Sequence, residues 1–302
     1  MIYRIIQKRK IFLSISSLAI VASILALFFW GLNFGIDFTG GSLLEVEFSN
    51  YQPTITEIQD SLQTANLHNL VVQPTSDSVM IRFKENDEVS HQALMSSLQD
   101  LVALHEGASV KELQFDSVGP SIGQELKSKS FNATIIVFLM IIAYISLAFR
   151  HVSKPVASWK YGVAAIIALV HDILFILGVF SALGHFYGVE INTPFIAAVL
   201  TVLGYSVSDT IVVFDRIREN LPKSQEDFEN TINRSINQTL TRSINTSLSS
   251  ILALCAVLIF GGDTIKDFAL ALVIGIFIGT YSSIFIAGPA LVIWDKLTRR
   301  QK

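Results

Sequence analysis

The sequence predicts an α-helical membrane protein with six transmembrane helices and a small α+β ferredoxin-like domain between the first and second. Three observations lead there. The 302 residues are 51% hydrophobic and only 16% charged, against roughly a quarter charged in soluble domains. Apolar runs cover 11–30, 131–149, 159–183, 191–214, 244–262 and 268–294, each reaching the ~20 residues that cross a hydrocarbon core as a helix. They must be helical, because an unpaired backbone group is too costly in lipid. About a hundred residues between the first two runs carry the periodicities of a water-soluble fold instead. The chain is therefore expected to divide into a basic N-terminal segment and first helix (1–30), a glycine-rich hinge and outer domain (31–130), and five helices (131–302). The last part includes a basic loop at 215–243 and a basic tail.

The first run follows Arg4, Lys8, Arg9 and Lys10, as in a signal peptide. It ends in Phe28-Phe29-Trp30-Gly31 rather than in small residues at a cleavage site, so it reads as an uncleaved anchor. Orientation follows from Lys and Arg in short loops. Besides the N-terminal cluster, they gather at Arg150, Lys154 and Lys160, at Arg216, Arg218, Lys223, Arg234 and Arg242, and at Lys296, Arg299, Arg300 and Lys302. The stretch 184–190 has none and 261–267 has only Lys266. Six spans with both termini in the cytoplasm put every basic segment on one side and the domain outside. In that domain Asp and Glu outnumber Lys and Arg by roughly three to one, which argues against nucleic acid as a partner. The single cysteine, Cys255, falls in a span, so no disulfide holds the domain.

Within the domain, Leu44, Val46 and Phe48 alternate with Glu45 and Glu47, the pattern of a half-buried strand. Thr54 to Glu57 matches a capping box, and Ile55, Ile58, Leu62 and Ala65 extend it as a helical stripe. Leu70-Val71-Val72 and the alternating Val79, Ile81 and Phe83 flank a turn-rich QPTSDS at 73–78. Leu94, Leu98, Leu101 and Val102 mark a second helix, and 110–115 a weaker last strand. The order strand, helix, strand, strand, helix, strand is the split βαβ pattern, which by itself names no function. His68, His91 and His105 are scattered and read as solvated surface residues. Before the first strand, Gly31, Gly35, Gly40 and Gly41 surround Asp37. The chain must turn from a helix into a strand within a few residues, and glycine admits the positive φ this requires. The segment reads as a hinge, with any further part for Asp37 left open.

Ionisable residues inside spans raise a functional question by default. His171-Asp172 lies about 13 residues from the cytoplasmic end of the third span, near mid-bilayer at ~1.5 Å per residue. Asp172 either works there or is satisfied by a neighbouring helix and holds the bundle together. Asp209 lies a few residues inside the fourth span, beside Ser206 and Ser208 and ahead of Asp215 and Arg216. In the fifth, Arg242, Asn245, Thr246 and Ser249 share one helical face opposite a mostly Ile and Leu face. Such a stripe should face protein or water, and Arg242 is the natural partner of Asp209. The pair is either a static ion pair or a carboxylate whose pairing and protonation switch the bundle between two packings. Ala271, Gly275, Gly279, Ser283 and Ala287 place a small residue every four, a close-packing seam. In the 215–243 loop, Pro222 breaks a helix and Ser224 to Asp227 suggests a cap. Phe228, Ile232, Ile236 and Leu240 then suggest an amphipathic helix at the interface. No P-loop, H-E-x-x-H, G-x-S-x-G or paired-cysteine motif occurs, so neither enzyme chemistry nor ATP binding is expected.

Taken in order, GIDFTGG (35–41), VGPSIGQEL (118–126), SVSDTIVVFDRIREN (206–220), NQTLTRSINTSLS (237–249) and FGG (260–262) resemble the SecF family of protein-export membrane subunits, over essentially the whole chain. The resemblance implies membership of the resistance-nodulation-division superfamily and pairing with SecD into a pseudo-symmetric twelve-span unit in the bacterial inner membrane. It implies partnership with the SecYEG channel, SecA and YajC, and action on a translocating unfolded polypeptide late in export. The proton-motive force would drive that action, with a proton as coupling ion and no other cofactor. It places a ferredoxin-like domain in the periplasm, and it assigns Asp209 and Arg242 to the proton-conducting site, with Asp172 beside them. Two other readings are a small-molecule efflux half-transporter of the same superfamily and a passive scaffold. Efflux pumps of that type usually carry much larger outer domains, and a scaffold has no need of charge in lipid.

Overall fold

The computed structural model describes residues 3–63, 67–75, 78–148 and 158–300. Ala65, Arg150, Lys154, Lys302 and part of the 73–78 turn lie outside the described residues, as do the side chains of Arg299 and Arg300. The described chain forms two compact units, Phe34–Phe131 and Met1–Asn33 with Asn132–Lys302.

Helix α1 (Arg9–Phe29) precedes the first of these units. That unit contains a helical turn, α2 (Ile36–Thr39), followed by a four-stranded sheet with two helices, α3 (Ile55–Leu62) and α4 (Glu88–Ala103). The strands are β1 (Gly41–Ser49), β2 (Val71–Pro74), β3 (Val79–Phe83) and β4 (Ser109–Val118), in the antiparallel order β2-β3-β1-β4. Leu44 sits opposite Ile81 on one side and Phe115 on the other. With Val46, Phe48 and Phe83 it forms the floor on which Ile58, Leu62, Leu94, Leu98 and Val102 of the helices are buried. The weak alternation of β4 has a cause: Glu45 pairs with Gln114 but Val46 with Glu112, so Leu113 is the extra residue of a bulge.

Both helices start as their sequences dictate. Thr54 Oγ1 accepts from the Glu57 N–H at 3.3 Å, while Glu57 Oε2 accepts from the Thr54 N–H at 2.7 Å. Asp87 Oδ1 accepts from the Ser90 N–H at 2.9 Å. These bonds satisfy donors that the first turn otherwise leaves open. His91 departs from the solvated reading: its ring stacks on Phe115 at 3.9 Å and its Nε2 lies 2.9 Å from Glu112. In the glycine segment, Gly40 and Gly41 take φ of +74° and +122°, and a Cβ on Gly41 would stand 2.6 Å from the Phe83 carbonyl oxygen. Gly35 is a correction. Its φ is −71°, and its role is to start α2, its carbonyl accepting from Phe38 and Thr39.

The second unit holds α1, α6 (Ser158–Tyr187), α7 (Thr193–Asn220), α8 (Phe228–Phe260) and α9 (Asp263–Ser282), and a π-helical turn (Ser283–Ala287) leads from α9 into α10 (Gly288–Arg300). Helix α5 (Pro120–Ala148) contains the boundary between the units. Among the described residues six helices are long and apolar enough to cross a membrane, α9 and α10 counting as one. The small-residue seam does pack closely: a Cβ on Gly275 would run into Val202, and one on Gly279 would lie 3.0 Å from Ser206 Cβ. Ala271, Ser283 and Ala287 are buried along the same line. On the other side of the bundle, Gly178 makes room for Ser23 of α1, and Ser181 Oγ donates to the Ala26 and Gly31 carbonyls at 2.9 and 2.5 Å.

The 215–243 region differs from expectation. Helix α7 continues to Asn220, and Phe228–Phe260 is one 33-residue helix rather than an interfacial helix followed by a span. Phe228, Ile232 and Ile236 are buried with Ile5 and Ile6, and the cap is Asp227, accepting from the Asn230 N–H, not Ser224.

Gly41→Ala is expected to destabilise the first unit by roughly 2 kcal/mol or more, since it combines a disfavoured φ with a backbone clash; thermal unfolding of the purified chain measures it. Acid should act through the caps. Hydrogen bonding from the Thr54 backbone to Glu57, and from the Ser90 backbone to Asp87, holds both carboxyls below their ordinary values. Their stabilisation is present above the unfolded-state values near pH 4 and is lost as pH falls through the lower folded ones. The acid limb of the unfolding curve should flatten in Asp87→Ala.

Candidate functional site

The buried carboxylate Asp172 stands at the meeting of three helices. It is 0% exposed. Its Oδ2 accepts from Ser206 Oγ of α7 at 2.6 Å and from Ser282 Oγ of α9 at 2.8 Å, and its Oδ1 lies 3.1 Å from His171 Nδ1 on its own helix. His171 Nε2 is buried and has no hydrogen-bond partner among the described residues. Ser283, next along, uses its hydroxyl differently, meeting Thr210 Oγ1 at 2.9 Å and donating to the Ser206 carbonyl at 3.2 Å. These short polar side chains can approach only because the glycines of α9 let the backbones close up.

The second carboxylate is less completely held. Asp209 Oδ1 accepts from Ser243 Oγ of α8 at 2.5 Å, and its Oδ2 is buried without a hydrogen-bond partner among the described residues. Arg242 acts on Asp209 electrostatically. No ion pair within 4.0 Å joins the two among the described residues, and the Arg242 side chain is exposed on this chain. Asn245, Thr246 and Ser249 are exposed with it. The face of α8 that packs inward is the neighbouring one: Thr231, Ser235, Thr239, Ser243 and Ser247 are buried. Ser247 Oγ meets Thr280 Oγ1 at 2.5 Å and accepts from Tyr205 Oη at 3.1 Å.

Of the residues singled out in the sequence, the structure gathers Asp172 with Ser206, and sets Asp209 on Ser243 with Arg242 one residue away. Ser206 serves Asp172 rather than Asp209, and Ser208 is exposed. The sequence reading does not single out Ser243, Ser247, Thr280 or Ser282, and it takes Ser283 only as a small residue of the packing seam. A signal existed for α8, whose hydroxyl residues recur every fourth position from Ser235 to Ser247, and for Ser282-Ser283, a polar pair inside an apolar run. Hydroxyls both donate and accept, so these groups can hold either carboxylate ionised or protonated by rotating a single bond.

Comparison with known proteins places this architecture. Residues 98–297 match the family described as protein export membrane protein SecD/SecF, C-terminal, and residues 25–51 match the SecD/SecF GG motif. Protein translocase subunit SecF of Thermobaculum terrenum is 42% identical over 96% of this chain and 93% of its own length. The chain belongs to the SecD/SecF family. Protein translocase subunit SecF of Pseudomonas aeruginosa is 37% identical over 93% of this chain and 89% of that protein. The crystal structure of SecDF, a translocon-associated membrane protein from Thermus thermophilus, superposes with a TM-score of 0.84 at 31% identity, covering 98% of this chain. A SecDF structure in a super-membrane-facing form gives 0.70 at 32% identity, covering all of this chain. The chain spans only 39–40% of the length of those SecDF chains. The GG motif coincides with Gly40-Gly41, where the backbone itself requires glycine.

Removing either hydroxyl from Asp172 should cost about 1–3 kcal/mol, the penalty for under-satisfying a buried polar group. Ser206→Ala and Ser282→Ala should each lower the thermal midpoint of the detergent-solubilised protein. Combined with Asp172→Asn the losses should be strongly non-additive, because all three act on one carboxylate.

Proposed function

We propose that this chain is a SecF-type subunit that works with SecD to couple the proton-motive force to late steps of polypeptide translocation across the bacterial inner membrane. The observation that carries the proposal is Asp209. One of its oxygens is held by Ser243 of a neighbouring helix, the other is buried without a hydrogen-bond partner among the described residues, and Arg242 directly precedes that serine in the chain. A carboxylate so placed gains a partner when it is protonated or when Arg242 swings onto it, and either event changes how α7 and α8 pack. Asp209 and Arg242 are the proton-coupling pair in this reading. Asp172, tied to three helices, is the fixed acid beside them.

The distribution of basic residues supports cytoplasmic termini and a periplasmic position for residues 31–130, with 1–30 and 131–302 forming the membrane part. The sheet order β2-β3-β1-β4 with helices after β1 and β3 supports a ferredoxin-like fold for that periplasmic domain. The exposed polar face of α8 supports a protein partner in the membrane, and SecD is the one the family provides. The part of SecDF that this chain does not match is the natural source of that surface. SecYEG, SecA and YajC are the further partners, and the unfolded polypeptide in transit is the substrate. The 31–41 segment, with Asp37, is the hinge that lets the domain follow the bundle.

The test is Asp209→Asn, which keeps shape and removes the titratable group. Export of a secreted reporter, in cells lacking the wild-type copy, is expected to fall about tenfold or more, in line with the loss of a transport step driven by charge movement. Membrane level and co-purification with SecD should stay normal. Normal export in this variant would leave the scaffold reading in its place.

A further inference from the structure

Three asparagines on α8 form a ladder that no step of the proposed mechanism uses. Asn230, Asn233 and Asn237 lie at i, i+3 and i+7, on one helical face. Among the described residues they bond to no other helix. They bond mainly to the backbone of the short turn segment that precedes α1. Asn237 Oδ1 accepts from the Tyr3 N–H at 2.7 Å while its Nδ2 donates to the Tyr3 carbonyl at 2.9 Å. Asn233 Nδ2 donates to the same carbonyl at 3.0 Å, and its Oδ1 accepts from the Ile6 N–H at 3.1 Å. Asn230 Oδ1 accepts from Gln7 Nε2 at 3.1 Å. A carboxamide offers one acceptor and one donor group, the complement of a backbone N–H and C=O. The ladder therefore reads main chain, as a neighbouring strand would.

The segment is fixed from both sides of this ladder. Ile5 and Ile6 are buried against Ile232 and Ile236 in the core. One turn away, Glu229 takes Arg9 of α1 at 2.5 Å and also pairs with Lys296 of α10. Helix α1 is itself seated on α6, through Ser181 and Gly178. Asn237 lies six residues before Ser243, about 9 Å along the helix axis.

We propose that the Asn230–Asn233–Asn237 ladder is a coupling clasp, through which α1 moves with α8 whenever the Ser243–Asp209 contact is made or broken. The proposal rests on the reading of Asp209 given above. The clasp residues are positioning residues that touch neither carboxylate. Because they hold backbone, they fix the position of the α1 segment whatever side chains it carries, and a rigid helix transmits displacement over 9 Å without a chain of side-chain contacts.

The test uses the full chain with SecD in inside-out membrane vesicles. Cys255 is replaced by serine, and Lys10→Cys, exposed at the start of α1, reports through its rate of reaction with a membrane-impermeant maleimide. With the clasp intact, Asp209→Asn should change that rate about fivefold, the equilibrium weight of roughly one net hydrogen bond, and in the Asn233→Ala/Asn237→Ala background the change should fall below about twofold. Should the double variant fail to accumulate in the membrane, Asn237→Ala alone, at a position that is only partly buried, should show the same loss of response in part. A response that persists undiminished with the clasp broken overturns the proposal. So does the absence of a response with the clasp intact in cells where Asp209→Asn abolishes export. If Asp209→Asn leaves export normal, the reading on which the clasp rests has failed instead, and the clasp proposal falls with it.

Discussion

The membrane unit depends on the cost of a carboxylate without water. An acid at the centre of an apolar bundle must have its oxygens hydrogen-bonded, or it destabilises whatever surrounds it. Asp172 meets that demand by drawing one hydroxyl from α7 and one from α9. Short side chains such as serine reach only if the helices nearly touch. Gly275 and Gly279 give that proximity, so the small-residue seam and the buried acid are two parts of one solution. The π-helical turn follows directly. It begins at Ser283, immediately after Ser282, and the two adjacent hydroxyls serve different partners, Asp172 and Thr210. Departures of this kind from α geometry are frequent at functional sites.

Asp209 faces the opposite situation. It lies where α7 meets α8, and α8 is much the less buried of the two, with 11% of its apolar window inside the unit against 44% for α7. One oxygen is served by Ser243, and the other has no hydrogen-bond partner among the described residues, with the Ser283 hydroxyl also acting on the group. The bundle thus holds a saturated acid between its most buried helices and a less saturated one on a helix whose apolar second half is little buried. A group already fully bonded has little to gain from changing state, whereas one that lacks a partner can trade one arrangement for another at small net cost. The static and the switching alternatives posed for the intramembrane acids divide between the two residues in this way.

How much of this could be read in the sequence depended on whether a feature is periodic. Spans, strands and caps repeat or have fixed offsets, so Leu44, Val46 and Phe48 or Thr54 and Glu57 announced themselves. The length of α8 did not, because its first half packs against protein while its second half is largely exposed on this chain, and the change of composition near Arg242 looks like a boundary. The choice of face on α8 also failed. Arg242, Asn245, Thr246 and Ser249 are the more polar stripe, yet the stripe of small hydroxyls beside it packs inward, since only small groups fit against α7 and α9. Leu113 misled for the usual reason of a bulge, which shifts alternation by one residue. The asparagine ladder carries no local signal at all, because its partner is backbone more than two hundred residues away in the chain.

The exposed stripe on α8 then becomes informative. Arg242 stands at the head of the fifth apolar run, where lipid is a poor neighbour for charge, and three further polar side chains share its face. A helix shielded on its hydroxyl side and open on its arginine side is half of an interface. Helix α5 points the same way, with only 6% of its apolar window inside the unit. For α5 lipid suffices as a neighbour, since its exposed residues, such as Ile136, Leu139 and Met140, are apolar. For α8 lipid does not suffice, and the surface that completes it must bring polar or acidic groups to the depth of Asp209. Whatever protein covers that face therefore stands near Asp209, one of whose oxygens has no hydrogen-bond partner among the described residues, so assembly and coupling draw on the same few residues.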